Sequence, residues 1–174
     1  MHVVIGTSGL TDSQYRNIDT LARRNKVGVI AAGNFSLTGA LMQHFALIAA
    51  KHIPTWEIAD FGTEFKIDAP SGTARELAYK LSQVHEPYYE VPTDQILGNQ
   101  SARGANLNGS YIHSFRLPGY FSRSEVLFGA PEQRLTIRYE SIGSQPYVDG
   151  TLLAARKVSQ IIGLQRGLDS IIDF

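Results

Sequence analysis

The sequence predicts an α+β fold, a β-sheet flanked by helices and preceded by a single βαβ unit. Three observations predict it. Two apolar runs of strand length enclose a helical segment within the first 36 residues, an order that makes the two strands parallel neighbours. Between residues 111 and 140 the hydrophobic period becomes two, over three runs separated by short turns, as antiparallel neighbours with one buried face require. A helical pattern around residues 150–162 then closes the chain.

Taken in order, "HVVIGTSG" (2–9) is a short buried strand ended by a Gly-Thr-Ser-Gly turn. A moderately amphipathic helix follows, with Leu10, Ile18 and Leu21 as its apolar positions, and "VGVIAAGNFS" (27–36) is the second strand. One βαβ unit cannot cover both faces of its own sheet, so the chain starts like the end of an α/β domain. Ser36 caps a helix near 37–51, whose stripe is Leu37, Leu41, Phe45, Ile48 and Ala49. A strand near 54–59 alternates Trp56 and Ile58 with Glu57 and Ala59, and a helix near 72–84 sets Ala74, Leu77, Ala78 and Leu81 on one face. Residues 86–110 are rich in Pro, Asn, Gln, Ser and Gly and read mostly as loop. Strands follow near 111–117, 124–129 and 134–140, the last alternating Leu135, Ile137 and Tyr139 with Thr136, Arg138 and Glu140. That apolar row on an open sheet predicts an oligomer. A helix near 151–162 and a short tail end the chain.

The 174 residues suffice for one ordinary domain, or one domain and a fragment of another. A formal net charge of zero gives no reason to expect a nucleic-acid partner, and Arg23, Arg24 and Lys26 decorate a solvated helix end. Cysteine is absent, which excludes disulfides and thiolate metal sites. His2, His44, His52, His85 and His113 are scattered without ligand spacing, so no metal site is expected. No signal pattern and no membrane-length apolar run are present. The expected location is cytoplasmic, away from membranes.

The stretch "FKIDAPSGTARELAYKL" (65–81) carries the chemistry. With Ser71 as N-cap, Gly72, Thr73 and Ala74 open a helix whose first amide groups lack intrahelical partners and lie at the positive end of the dipole. Gly72 leaves room for a carboxylate or phosphate on those donors. The Ser71 and Thr73 hydroxyls add two more, and Lys66 supplies an opposing charge if the loop folds over. Asp68 can hold that loop or pair with Lys66. Pro70 keeps Ala69 extended and sets the entry into the helix. The same residues also describe a plain capped helix beside a surface lysine, and residue types alone leave both readings open.

"KIDAPSGTA" (66–74) resembles the K-x-D-A-P-S-G-T-A signature of the dihydrodipicolinate reductase (4-hydroxy-tetrahydrodipicolinate reductase) family. The resemblance extends along the chain through "VVIGTSGLT", "NFSLTG", "IHSFRLPG", "EVLFG" and "LTIRYES", in the family's order. It implies a mixed β-sheet with flanking helices, the substrate-binding and tetramerisation domain, preceded by a remnant βαβ unit of a Rossmann-type dinucleotide-binding domain. The implied boundaries are 1–35 for the remnant, 36–145 for the α+β domain, and 146–174 for a helix and tail returning toward the nucleotide-binding domain. The implied activity is NAD(P)H-dependent reduction of a cyclic imine dicarboxylate in lysine and diaminopimelate biosynthesis. Substrate contacts fall on Thr63, Lys66, Ser71, Gly72 and Thr73. Cofactor contacts fall on Gly6, Thr7 and Ser8 and on Ala32, Gly33, Asn34 and Phe35. The cofactor is NADPH or NADH, held by a full-length protein, because no G-x-G-x-x-G phosphate loop occurs in this chain. The implied assembly is a homo-oligomer, a tetramer or dimer.

The chain departs from the family pattern at one important place. Where the family carries H-H-x-H-K, this sequence reads Gly62, Thr63, Glu64, Phe65, Lys66. A basic residue usual after the last strand is also missing from "SIGSQPY". Lys66 then becomes the catalytic candidate, since an ammonium can donate a proton and stabilise developing negative charge. Asp60 and Glu64 are alternatives that need strongly raised pKa values, and otherwise read as solvated loop charges. Two classes stay open: the substrate-binding part of a reductase, inactive as this fragment, or a non-catalytic dicarboxylate-binding or oligomerisation protein. A related reductase of altered substrate is the third possibility.

Overall fold

The computed structural model describes residues 1–173. The chain divides into two compact units, one built from Met1–Leu41 with the segment from Gly143 onward, the other from Met42–Ile142.

In the first unit, β1 (Val3–Ile5), α1 (Asp12–Arg24) and β2 (Gly28–Ala31) form the expected βαβ unit, with parallel pairing from Val3↔Val29 to Ile5↔Ala31. Thr11 caps α1 in a reciprocal box: its Oγ1 accepts from Gln14 N at 3.3 Å, and Gln14 Oε1 accepts from Thr11 N at 2.8 Å. The helix buries Tyr15 and Ala22. Leu10 precedes the helix and Leu21 is exposed, which corrects the stripe read from the sequence. The expected tail holds a strand instead. β8 (Gly163–Arg166) joins β2 in parallel, giving the order β1-β2-β8. Asp19 on α1 secures it, because its Oδ1 accepts from Leu164 N at 2.8 Å. The helix before β8 is α4 (Tyr147–Lys157), which starts earlier than the sequence suggested. Ile30, Ala32, Phe35, Ala40, Ala154 and Leu168 are buried together in this unit's core.

The second unit is a five-stranded mixed sheet in the order β4-β5-β3-β6-β7. Its strands are β3 (Thr55–Gly62), β4 (Ala105–Leu107), β5 (Ser110–Arg116), β6 (Ser122–Ala130) and β7 (Gln133–Ser141). The close spacing of the last three runs had suggested that all were antiparallel neighbours. Only β6 and β7 are. β3 lies between β5 and β6, parallel to the first and antiparallel to the second. One face is covered by α2 (Leu37–Ala50) and α3 (Gly72–Ser82). Trp56, Ile58, Ile112, Val126, Phe128 and Tyr139 meet Met42, Ala46 and Ala50 from α2 and Ala74, Leu77, Ala78 and Leu81 from α3. The buried Trp56 indole donates to Ser110 Oγ at 3.0 Å.

Two further expectations change. Of the stripe read on α2, Leu37, Leu41, Phe45 and Ile48 are all 36% or more exposed and Ala49 alone packs against the core, while Ala40, Met42, Ala46 and Ala50 are buried. Small residues let the helix lie close, and an almost wholly apolar helix gives periodicity no means of choosing a face. On β7, Tyr139 is buried and Ile137 packs beside it, but Leu135 remains 41% exposed. Apolar surface open on the opposite face of the sheet belongs to Phe115 and Leu127. Among the described residues, no helix is long and apolar enough to cross a membrane.

Gly150 measures how tightly α4 sits in its unit. A Cβ there would stand 1.9 Å from Phe35 O and 2.7 Å from Leu168 Cδ2. Alanine favours an exposed helix over glycine by about 1 kcal/mol, but overpacking against an immovable main-chain oxygen costs about 1–3 kcal/mol. Gly150→Ala is therefore expected to lower the thermal midpoint by a few degrees; a raised midpoint in a melt would contradict this packing.

Candidate functional site

β3 runs to Gly62, where it pairs with Arg116 on β5 and Ser122 on β6. The chain then turns, with Lys66 N donating to Thr63 O at 3.1 Å. It returns past Asp68 and a cis Ala69–Pro70 bond to Ser71. Ser71 is the N-cap of α3, extended at φ −63° and ψ 158°, and its Oγ accepts from Ala74 N at 3.2 Å. The corner therefore has the local structure its residue types favour. The Gly72 and Thr73 amides, in the first turn, have no intrahelical acceptor and lie at the positive end of the dipole. Ser71 and Gly72 are buried and Thr73 is half-buried.

Beneath the corner lies Asp60. The residue is 2% exposed, in mid-strand and on the same face as Trp56 and Ile58. Its Oδ2 accepts from Ser71 N at 2.8 Å, Arg116 Nη2 at 2.8 Å and Ser114 Oγ at 3.2 Å. Asp60 is thus neither a solvated loop charge nor a free acid, and this corrects the sequence reading. Period-two alternation brings it to the inner face, and three donors satisfy it there. Arg116 reaches further: Nη2 and Nε donate to Asp68 O at 2.7 and 3.2 Å, and Nη1 to Asp60 O at 3.2 Å and Phe115 O at 2.8 Å. The sequence reading missed Arg116 and Ser114. The available signal was their spacing from Ile112, which puts all three on one face of β5.

Lys66 is paired. Its Nζ lies 2.6 Å from Asp68 Oδ1, with both side chains about one-third exposed, at 34% and 32%. Burial works against ionising Asp68, but the Lys66 hydrogen bond and charge, with the Arg116 charge, outweigh it and hold the carboxyl below its ordinary pKa. The stem of Lys66 lies over Gly62, where a Cβ would stand 2.7 Å from Lys66 Cδ. Thr63 is half-buried at the start of the turn and Glu64 is exposed, while Phe65 and Ile67 project outward at 83% and 101% exposure. A hollow of about 550 Å³ approaches from the Ala69–Pro70 side. Its lining includes neither Lys66 nor Ser71–Thr73.

In the first unit, Gly6, Thr7 and Ser8 follow β1, and Ala32, Gly33, Asn34 and Phe35 follow β2. Parallel pairing brings these two segments together at the carboxyl ends of their strands, with Ala32 N donating to Ile5 O at 3.0 Å. Thr7 Oγ1 accepts from Gly9 N at 3.3 Å, and Asn34 Oδ1 from Ser36 N at 2.8 Å. Gly6 and Thr7 are exposed, whereas Ala32 and Phe35 are buried. Among the described residues, no group of three His, Asp or Glu side chains is placed to hold a metal ion.

The family model described as Dihydrodipicolinate reductase, C-terminus, matches residues 38–172. The 4-hydroxy-tetrahydrodipicolinate reductase of Desulfitobacterium hafniense (strain DSM 10664 / DCB-2) is 38% identical over 170 residues, covering 98% of this chain and 64% of the relative. That of Moorella thermoacetica (strain ATCC 39073 / JCM 9320) is 39% identical over 172 residues, with 98% and 64% covered. The solved dipicolinate-bound dihydrodipicolinate reductase from Paenisporosarcina sp. TG-14 matches with a TM-score of 0.79 at 37% identity, covering 97% of this chain and 64% of that one. The chain thus spans 64% of the length of these relatives. On the strength of the matched span, the identity and the shared fold, this chain belongs to the dihydrodipicolinate reductase family.

Proposed function

We propose that this chain is the substrate-binding part of a reductase that uses NADPH or NADH to reduce a cyclic imine dicarboxylate, in lysine and diaminopimelate biosynthesis. One observation carries the reading. The loop bearing Lys66 leads directly into a helix start whose Gly72 and Thr73 amides lack intrahelical partners. An ammonium and a helix N-terminus on one short segment offer two separate anchors for anionic groups. The Paenisporosarcina relative is described as binding dipicolinate, a ligand with two carboxylates on a planar ring. Substrate contacts in this reading are Thr63, Lys66, Ser71, Gly72 and Thr73.

The segments after β1 and β2 suit the nicotinamide side of a dinucleotide, at the carboxyl ends of parallel strands. Gly6 has only ordinary contact with Phe35, its Cβ position lying 3.7 Å from Cε2, and Thr7 and Asn34 offer polar groups. When bound, the cofactor supplies a hydride. Hydride addition to the conjugated imine leaves a nitrogen-containing anion that must gain a proton, and Lys66 Nζ donates it. The same ammonium stabilises the charge as it develops. Oligomerisation falls to the outer sheet face, where Phe61 and Phe115 stack at 4.6 Å and Leu127 is 43% exposed.

A second reading, dicarboxylate binding without reduction, has one observation in its favour. Gly62 and Thr63 replace the family's adjacent histidines, and the remaining ammonium is already held by Asp68. Turnover of NADPH with the cyclic imine by the full-length protein separates the two readings.

Two predictions follow from the corner. Pyridine-2,6-dicarboxylate is expected to bind the full-length protein, and Lys66→Ala and Gly72→Val to weaken it, by charge loss and by obstruction. The loss of a charge-assisted contact is worth about 1.5–3 kcal/mol, roughly tenfold to hundredfold in affinity. Unchanged affinity in both variants, measured by calorimetry, would reduce the corner to a capped helix. The second prediction concerns pH. Because the folded-state pKa of Asp68 is lowered, its pairing with Lys66 stabilises fully above the unfolded value of about 3.9 and is lost as pH falls through the lowered one. The stability difference between wild type and Asp68→Asn should therefore shrink below about pH 4, as followed by denaturant unfolding across pH. A difference that grew on acidification would contradict the pairing.

A further inference from the structure

The proposed anchors are not held by one another. Ser71 N is held by Asp60 Oδ2 at 2.8 Å. Lys66 Nζ is held by Asp68 Oδ1 at 2.6 Å. Within the ligand-binding set Lys66 reaches Asp68 only through its side chain, and the main chain of Asp68 is gripped from outside that set. The group that touches both supports is Arg116. Its Nη2 donates to Asp60 Oδ2 at 2.8 Å and to Asp68 O at 2.7 Å, and its Nε donates to the same Asp68 oxygen at 3.2 Å. Its Nη1 donates to Asp60 O at 3.2 Å and Phe115 O at 2.8 Å. The side chain is 14% exposed and Asp60 2%, so this is a desolvated, fully engaged guanidinium rather than a surface charge.

We propose that Arg116 is a positioning residue for dicarboxylate recognition: by gripping Asp60 and the main chain of Asp68 together, it sets the separation between the Lys66 ammonium and the N-terminus of α3. The inference rests on the reading of that corner as a dicarboxylate site and adds a residue outside it. The argument is geometric. A dicarboxylate with fixed carboxyl spacing gains from two anchors only if their separation is fixed beforehand. One anchor is held through Asp60, which belongs to β3, and the other through Asp68, in the loop. A planar fork with five N–H donors can bind both in different directions at once, and a lysine ammonium on a flexible stem cannot. Arg116 also pairs in register with Gly62 on β3, so the grip originates from the rigid sheet rather than from another loop.

A residue that only stabilises the fold would, when replaced, weaken every ligand alike. A residue that sets spacing would weaken a two-point ligand and spare a one-point ligand. The test therefore compares pyridine-2,6-dicarboxylate with pyridine-2-carboxylate, titrated calorimetrically into the full-length protein. The first variant is Arg116→Lys, which keeps a cation beside buried Asp60. The second is the double variant Asp60→Asn/Arg116→Gln, which removes both charges and leaves no unpaired ion in the interior. Thermal melts of both variants check that they fold. In a folded variant the dicarboxylate-to-monocarboxylate affinity ratio is expected to fall roughly tenfold or more, the equivalent of one lost charge-assisted contact, with monocarboxylate affinity within about twofold of wild type. A ratio kept at its wild-type value, or equal loss for both ligands, overturns the positioning role. The corner reading fails separately: a wild-type protein in which Lys66→Ala changes neither affinity overturns that reading, and this inference with it.

Discussion

The buried pair of Asp60 and Arg116 is the interaction on which the candidate site depends. A carboxylate at 2% exposure is tolerable only when its charge is met in full. Here one oxygen collects a guanidinium, a hydroxyl and a main-chain amide. The amide is that of Ser71, the residue that caps α3, so the charge satisfying the interior of the sheet also fixes where a helix begins. Breaking such a pair from one side typically costs about 3–5 kcal/mol, more than an N-cap is usually worth. The helix start is therefore held both from beneath, through Ser71 N and Asp60, and by its own capping hydroxyl.

That arrangement follows from topology. β3 and β5 are the parallel pair in a sheet that is otherwise antiparallel. Their carboxyl ends carry Gly62 and Arg116, and the loop into α3 departs from this edge. The two segments of the first unit, Gly6–Ser8 and Ala32–Phe35, also leave the carboxyl ends of parallel strands. Loops at such ends have freedom to carry function because the strands behind them are fixed by pairing, and ligands in open α/β sheets collect there. Each unit thus offers its polar and glycine-bearing segments at the same kind of edge, for the same reason.

The parts legible in the sequence were those governed by local chemistry. Ser71 as a cap and the α3 face of Ala74, Leu77, Ala78 and Leu81 follow from spacing and propensity, and both are present. Long-range placement was not legible. Nothing in the sequence places β3 between β5 and β6, since sequential neighbours pair only as a tendency. The strand Gly163–Arg166 holds a single strongly apolar residue and is defined by its partner β2. Two signals were present and went unused. Asn108 and Gly109, at φ 50° and 83°, form the tight turn of the β4–β5 hairpin that an Asn-Gly pair announces. Asp60 falls two residues beyond Ile58 and Arg116 four beyond Ile112, so alternation sets each charge on the inner face of its strand, and the pairing of β3 with β5 then makes them neighbours.

The departure from the family's histidine motif also has a physical consequence within the chain. Gly62 stands where the motif has the first of its adjacent histidines, and the space above it is taken by the stem of Lys66. A side chain at position 62 would push the flexible lysine stem aside, because the Cβ would come within 2.7 Å of Lys66 Cδ. The two positions are therefore coupled. With glycine at position 62, the stem of Lys66 lies over the strand end, where Asp68 completes its charge. Under the function proposed above, a ligand carboxylate competes with Asp68 for the ammonium, and the outcome depends on how firmly the Asp68 segment is held. That firmness comes from Arg116, two donors of which bind the Asp68 carbonyl. The absent histidines and the buried arginine thus bear on the same quantity, the readiness of one ammonium to leave its resting partner.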